Sequence, residues 1–211
     1  MTTLMVLAKA PVAGRSKTRL CPPCTPEQAA SVAEAALRDT LDVAGRCKAS
    51  RVVLVLDGGP LEQVDATIEV VPQRGGGLGE RLAAAFDDVG GPALLIGMDT
   101  PQVDVDLLDG ALARVAAGTS VIGPAPDGGW WALGLPTYPP GAFTGVPMST
   151  AATARRQRAR LRALGLAPAP LREVRDVDHW RDALLVADEA PDGRFARVVA
   201  AIERDLAVVS A

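Results

Sequence analysis

Four cationic side chains lie within eleven residues, in a loop that follows the first predicted strand. They are Lys9, Arg15, Lys17 and Arg19, and Gly14 stands among them. Glycine lets backbone N–H groups approach an anion closely, and lysine and arginine neutralise its charge. The loop is therefore typical of a phosphate cradle, although the GxxxxGK[ST] spacing of a Walker A loop is absent. A solvated basic turn is the alternative, because short basic glycine loops are common.

Carboxylates follow two other predicted strands. Asp99 comes directly after the apolar run Leu94–Gly97, and Asp178 lies between the last predicted strand and a helix. Hard divalent cations such as Mg²⁺ take oxygen ligands, usually one or two carboxylates together with substrate phosphates. Both aspartates are therefore candidate metal ligands. The alternative for each is a helix cap, a role for which Asp104 is better placed than Asp99.

A glycine turn, Asp127-Gly128-Gly129, stands directly before Trp130 and Trp131, two of the three tryptophans in the chain. Asp-Gly-Gly is a strong turn signal and predicts a hairpin. The tryptophans either form a flat platform for a sugar or a base, or simply belong to the core. Both alternatives stay open on local sequence.

Cys21 and Cys24 have the CxxC spacing of redox and zinc sites. Zinc would need four ligands, and His179 is the only histidine in the chain. With Cys47 the cysteines number three, and an odd count is not typical of a disulfide framework. We interpret the pair as two thiols in a proline-rich turn.

Strands and helices alternate along the whole chain. The predicted strands are Thr3–Ala8, Arg51–Leu56, Ile68–Val71, Ala93–Gly97, Ser120–Gly123, Trp130–Leu135 and Ala169–Val174. The predicted helices are Pro26–Ala44, Gly79–Val89, Val105–Ala117, Ser149–Leu164, His179–Asp188 and Arg194–Val209. The alternation predicts an α/β fold with a mostly parallel sheet between helical layers. Glycine and proline cluster after the strands, where open α/β sheets bind their ligands.

Composition narrows the class of protein. The chain has 211 residues, of which 48% are hydrophobic, as expected for one packed domain over residues 1–211. The net charge of -3 argues against binding of nucleic acid or anionic membranes, which needs a broad basic surface. No segment reads as a signal peptide or a membrane span. We therefore expect a cytoplasmic protein, and the sequence sets no oligomeric state.

Taken in order, these segments resemble the bacterial rSAM/selenodomain-associated transferase 1 family, which is related to nucleotide-diphospho-sugar transferases of the glycosyltransferase-A fold. The matching motifs are K-x-P-x-x-G-x-x-KTRL from Lys9, Q-x-x-G-x-L-G-E-R from Gln73, G-x-D-x-P from Gly97, G-P-A-x-D-G-G from Gly123, the pair Ser149-Thr150 and D-V-D from Asp176. The KTRL element is also similar to that of 2-phospholactate guanylyltransferases, and G-x-D-x-P is similar to that of molybdenum cofactor nucleotidyltransferases.

The resemblance implies a Rossmann-like three-layer α/β/α sandwich and a role for each motif. Donor phosphates would lie on Lys9, Gly14, Lys17 and Arg19, and the base on Gln73, Gly79 and Arg81. Asp99 and Asp178 would hold Mg²⁺ or Mn²⁺. The acceptor would face Asp127, Gly128, Gly129, Trp130, Ser149 and Thr150, with Asp127 and Lys17 as the catalytic residues.

Three functions fit this reading. In glycosyl transfer from a sugar nucleotide, Asp127 would deprotonate a hydroxyl of a small acceptor. In nucleotidyl transfer, an acceptor phosphate would attack a nucleoside triphosphate and release pyrophosphate without a separate base. The third alternative is a nucleotide-binding protein without turnover, which the presence of both candidate metal carboxylates disfavours.

Overall fold

A seven-stranded sheet forms the centre of the computed structural model, which describes residues 1–209. The strands are β1 (Thr3–Lys9), β2 (Arg51–Asp57), β3 (Ile68–Pro72), β4 (Ala93–Gly97), β5 (Val121–Pro124), β6 (Trp130–Leu135) and β7 (Ala169–Pro170). Their order is β3-β2-β1-β4-β6-β5-β7, and β6 alone runs antiparallel to its neighbours in this sheet. The predicted α/β fold with a mostly parallel sheet is confirmed.

Helices cover both faces of the sheet. They are α1 (Pro26–Arg46), α2 (Leu78–Val89), α3 (Val105–Ala116), α4 (Thr153–Ala163), α5 (Trp180–Glu189) and α6 (Arg194–Val209). Helices α1 and α3 pack on one face and α2 and α4 on the other, while α5 and α6 pack against the outer side of α1. In the described part of the chain, no helix combines the length and the apolar character that crossing a bilayer requires.

The sequences of the strands are continuous apolar runs because helices cover both faces of the sheet. Successive side chains of a strand point to opposite faces. On β1, Leu4 and Val6 therefore join the core beneath α1 and α3, and Met5 joins the core beneath α2. All three side chains are fully buried. This burial on both faces is what distinguishes such strands from the alternating pattern of half-exposed ones.

Two predicted helix starts are confirmed by their caps. The Thr25 hydroxyl accepts a hydrogen bond from the Gln28 N–H at 3.2 Å, and the Gln28 side chain accepts one from the Thr25 N–H at 2.9 Å. This reciprocal capping box satisfies two donors that a helix start leaves free. Asp104 caps α3 by accepting a hydrogen bond from the Leu107 N–H at 2.7 Å. Capping is therefore not the role of Asp99.

Two predicted elements are longer than those observed. The helix expected from Ser149 begins only at Thr153, because Ser149 has a φ of 56°, which a right-handed helix does not accommodate. The strand expected over Ala169–Val174 ends at Pro170. Beyond it, single hydrogen bonds from Leu171 and Val174 to β5 carbonyls continue toward the next helix without a ladder.

The topology brings the carboxyl ends of six strands to one edge of the sheet. Strands β1 to β4 are parallel, β5 points the same way because both β4 and β5 are antiparallel to β6, and β7 is parallel to β5. Strand β6 starts at this edge with Trp130. The loops that carry the predicted site residues after β1, β3, β4 and β5 therefore meet there, as open α/β sheets require of a ligand site.

The packing of the core can be tested by substituting Gly134, in the middle of β6. A Cβ there would lie 2.5 Å from Val115 Cγ2 and 2.6 Å from Val121 Cγ2. Overpacking of this kind typically costs about 1–3 kcal/mol, so Gly134→Ala should lower the free energy of unfolding by that amount. Gly110 in α3 is the control, since a Cβ there meets nothing within 4 Å, and Gly110→Ala should stabilise by up to about 1 kcal/mol. Urea unfolding of both variants measures the difference, and equal stabilities would contradict the packing.

Candidate active site

A cavity of about 250 Å³ opens beside the loop that follows β1. Its charged lining consists of Lys9, Arg15, Lys17, Arg19, Asp99 and Asp178. Three of the predicted phosphate ligands and both predicted metal ligands therefore lie around one space. Arg15, which the sequence reasoning counted among the cations without assigning it a role, lines the same cavity. Gly14, exposed with a φ of 72°, forms the turn of the loop.

Lys17 joins the loop to the end of β4. Its ammonium lies 2.7 Å from Asp99 Oδ1 and also donates a hydrogen bond to the Val177 carbonyl. Only 11% of the Lys17 side chain is exposed, against 43% for Asp99. The Val177 N–H in turn donates to the Asp99 carbonyl at 2.9 Å. Three segments that are far apart in sequence are thus held around one lysine.

A second ion pair joins the same loop to the late aspartate. Arg19 donates two hydrogen bonds from Nη1 to the Asp178 carboxylate, at 2.7 and 3.0 Å. The alternative reading of Asp178 as a helix cap is wrong, because the residue that caps α5 is His179, whose N–H donates to Asp182. Asp178 is therefore held by its arginine partner rather than by the helix.

A second cavity, of about 290 Å³, lies on the other side of Asp99. Trp130, Met148, Ser149 and Asp176 line it together with Asp99 and several leucines. The two tryptophans have separate roles: Trp131 is buried in the core and donates to the Arg172 carbonyl at 3.0 Å, whereas Trp130 lines the cavity. The core alternative is therefore confirmed for Trp131, and the role of Trp130 as a platform for a sugar or a base stays a prediction.

Asp176 is the site residue that the sequence reasoning missed. In the sequence Asp176 stands out only as part of the Asp176–Asp178 motif. In the structure Asp176 lines the second cavity, whereas Asp178 lines the first. Burial and repulsion by Asp127 raise the pKa of Asp176 to about 6, Asp99 adds to the rise, and Lys17 opposes it. Strand alternation gives no signal that separates the two aspartates, because residues two positions apart lie on the same face of an extended segment.

The Asp127-Gly128-Gly129 turn closes the β5–β6 hairpin beside this cavity. Asp127 is exposed, and its carboxylate accepts a hydrogen bond from the Gly129 N–H at 2.7 Å. Gly128 has a φ of 89°, and a Cβ there would lie 2.2 Å from the Ala151 carbonyl oxygen. Only glycine fits this close approach, which seats the turn against the loop of Ser149 and Thr150.

The residues expected around the base are divided between two places. Gln73 Nε2 donates to the carbonyls of Ala8 and Val55, at 2.7 and 3.1 Å, so this side chain ties together the ends of β1 and β2. Arg81 pairs with Asp57 at 2.7 Å. Gly79 instead packs beside Met148 and Phe143, since a Cβ there would lie 3.6 Å from Met148 Cε and 3.9 Å from Phe143 Cβ. Contact of these three residues with a base stays a prediction.

The carboxylates around Asp99 fit a divalent cation that phosphate oxygens help to hold. Asp99, Asp127 and Asp176 interact electrostatically, and the one cation that offsets the charge of Asp176 is Lys17. Within residues 1–209, no three side chains of metal-ligating type converge into a complete site. A divalent cation at Asp99 would therefore need further ligands from substrate and water.

Three solved structures resemble the chain in fold. A protein from Desulfovibrio desulfuricans G20, provisionally described as a nucleotide-diphospho-sugar transferase, is 24% identical, with a TM-score of 0.83 over 99% of this chain and 96% of that one. The 2-C-methyl-D-erythritol 4-phosphate cytidylyltransferase of Thermus thermophilus is 17% identical, with a TM-score of 0.53 over 89% and 98%. Rv0371c of Mycobacterium tuberculosis H37Rv, crystallised in complex with manganese, is 22% identical, with a TM-score of 0.50 over 89% and 97%.

The fold is therefore that of the nucleotide-diphospho-sugar transferases. Two of these three structures, the first of them provisionally, are described as transferases. The chain belongs to the family described as "Uncharacterized protein conserved in bacteria (DUF2064)", which matches residues 32–150. No curated protein matches the sequence.

All three cysteines, Cys21, Cys24 and Cys47, are free thiols. Burial and the neighbouring Cys21 raise the pKa of Cys24 from 9.0 to about 11. At pH 8 this lowers the reactive thiolate fraction roughly 100-fold. Iodoacetamide should therefore alkylate Cys24 about 100-fold more slowly in the native protein than in urea, as followed by peptide mass spectrometry. Equal rates in the two states would contradict the burial of this thiol.

Proposed function

We propose that the protein is a metal-dependent transferase that takes a nucleotide donor, and that it transfers a glycosyl group from a sugar nucleotide to a hydroxyl of a small acceptor. The observation that carries this proposal is the pair of unlike cavities that meet at Asp99. One is lined by four cations, and the other by apolar side chains and carboxylates. A charged phosphate and a neutral hydroxyl would each find suitable partners there.

The donor would place its phosphates in the first cavity. Lys9, Lys17 and Arg19 supply charge-assisted hydrogen bonds of the kind that phosphate oxygens accept. Asp99 and Asp178, which line the same cavity, would hold Mg²⁺ or Mn²⁺ between themselves and the phosphates. When bound, such a cation stabilises the negative charge that develops on the leaving phosphate.

The acceptor would lie in the second cavity. Among the described residues that line it there is no lysine or arginine, so the acceptor group that enters is uncharged rather than a phosphate. Trp130 offers an aromatic face to a sugar ring or another flat surface. A neutral hydroxyl needs a base in the transition state, and Asp127, which is close enough to Asp176 to raise its pKa, is the candidate for that role. Ser149 lines the cavity, and together with Thr150, the next residue in the chain, it would orient the acceptor.

Nucleotidyl transfer is the second candidate, because the fold is shared with a cytidylyltransferase. In that reaction the acceptor phosphate would attack the nucleoside triphosphate directly, and pyrophosphate would leave. The lack of a lysine or arginine among the described residues that line the second cavity argues for the glycosyl reaction. The products separate the two: nucleoside diphosphate from a sugar nucleotide, or pyrophosphate from a nucleoside triphosphate.

Asp99→Asn should abolish metal-dependent donor binding while the protein stays folded, because Asp99 is the carboxylate common to both cavities. The measurement is a thermal-shift panel of nucleotides and sugar nucleotides with and without Mn²⁺, since ligands that bind the folded state raise its stability. The matched control is Asp106→Asn, the same change at an exposed residue of α3, which should keep the Mn²⁺-dependent shift. Retention of that shift in Asp99→Asn would refute the metal assignment.

Asp127→Asn should lower turnover of the glycosyl reaction by about 10²–10⁴-fold, the usual contribution of a general base. Donor affinity should be preserved, because Asp127 does not line the first cavity. The measurement is release of nucleoside diphosphate from the sugar nucleotide that the thermal-shift panel identifies, with a mixed acceptor extract. Unchanged turnover in the variant, or pyrophosphate release from nucleoside triphosphates by the wild type, would count against glycosyl transfer with this base.

A further inference from the structure

We propose that Lys17 and Arg19 act as internal counter-ions, which pair with the candidate metal-binding carboxylates in the ligand-free protein. The cation and the donor phosphates then bind together, because each exchanges one partner of these ion pairs. The inference rests on the proposed function, because it concerns the same cavity. It adds that the binding of the two ligands is coupled, and it predicts that removing one phosphate-binding cation strengthens the binding of metal.

The geometry pairs each candidate phosphate ligand with a candidate metal ligand. Lys17 lies 2.7 Å from Asp99 Oδ1, and Arg19 lies 2.7 Å from Asp178 Oδ2. In the first pair the lysine is only 11% exposed, and its ammonium also bonds to the Val177 carbonyl. A cation on Asp99 would therefore have to share the carboxylate with an ammonium that is already in contact with it.

The backbone of Lys17 supports the same conclusion. Its φ of 49° places it in the left-handed region, which is uncommon for a residue other than glycine. This conformation stands directly before the 3₁₀ turn at Thr18–Leu20. The ion pair and the hydrogen bond to Val177 therefore hold the side chain at a position that the local sequence does not favour by itself.

Two other cations line the same cavity but are not paired in the way that Lys17 and Arg19 are. Lys9 and Arg15 are exposed and have no ion pair with a carboxylate among residues 1–209. They are free to attract phosphate in the ligand-free protein. Lys9 is therefore the matched control, since its neutralisation removes the same charge from the same cavity without releasing a carboxylate.

The exchange conserves charge pairing at each step. In the ligand-free protein, two cationic side chains are paired with two carboxylates. With a metal–phosphate donor in place, Asp99 and Asp178 face the metal ion while Lys17 and Arg19 face phosphate oxygens. Neither ligand alone achieves this, because metal alone leaves the lysine beside another cation, and phosphate alone leaves Asp99 without its partner. Binding of the two ligands is therefore strongly coupled.

The experiment is calorimetric titration of Mn²⁺ alone, and of inorganic pyrophosphate with and without Mn²⁺, into four proteins: wild type, Lys17→Gln, Arg19→Gln and Lys9→Gln. Lys17→Gln should bind Mn²⁺ alone about tenfold more tightly than wild type and bind pyrophosphate more weakly. Arg19→Gln, whose pair is more exposed, should show the same directions at about two- to threefold. Lys9→Gln should weaken pyrophosphate and leave the affinity for Mn²⁺ near that of wild type.

Opposite changes for metal and pyrophosphate in Lys17→Gln support the inference, since a merely structural role would weaken both ligands. Equal or weaker Mn²⁺ binding in Lys17→Gln and in Arg19→Gln, with thermal unfolding like that of wild type, would overturn it. In that case the proposed function stands as long as Asp99→Asn still abolishes Mn²⁺ binding. Failure of Mn²⁺ to bind any of the proteins, even with pyrophosphate, would overturn both. If Lys17→Gln unfolds, Arg19→Gln alone decides the sign.

Discussion

The ion pair between Lys17 and Asp99 is the contact on which the geometry of the site depends. It joins the basic loop after β1 to the end of β4, and the Val177 carbonyl brings the segment before α5 to the same ammonium. Without it, the cations of the loop would have no defined position relative to the carboxylates. Since the lysine is mostly buried, the pair is screened less by solvent than a surface pair. The shape of the first cavity thus follows from one charged contact across the end of the sheet.

Elements whose signals are local could be predicted from the sequence. The apolar runs gave the positions of β1 to β6, and the caps at Thr25 and Asp104 gave two helix starts, because a cap and the first turn it completes lie within a few residues. The start of α4 could not be predicted in this way. The left-handed conformation of Ser149 belongs to a loop that packs against Gly128 from a distant hairpin.

The site was predictable to the level of motifs but not of partners. The sequence placed Lys17, Arg19, Asp99 and Asp178 in two functional groups, and the structure brings all four around one cavity. The sequence could not indicate that each predicted phosphate ligand would pair with a predicted metal ligand, because these contacts join residues 82 or more positions apart. Asp176 was missed for a related reason, since its importance depends on its burial and its neighbours.

The excess of carboxylates beside Asp99 has an energetic consequence for the ligand-free protein. Asp176 is raised in pKa by burial and by repulsion from Asp127 and Asp99, so keeping these groups ionised together costs folding free energy. Proteins retain such unfavourable arrangements where the surrounding structure imposes them and where a ligand relieves them. A bound cation would relieve the repulsion on both sides of Asp99. Under the proposed function, the negative charge that is unfavourable without a cation would thus also favour a metal-bound donor over a free phosphate.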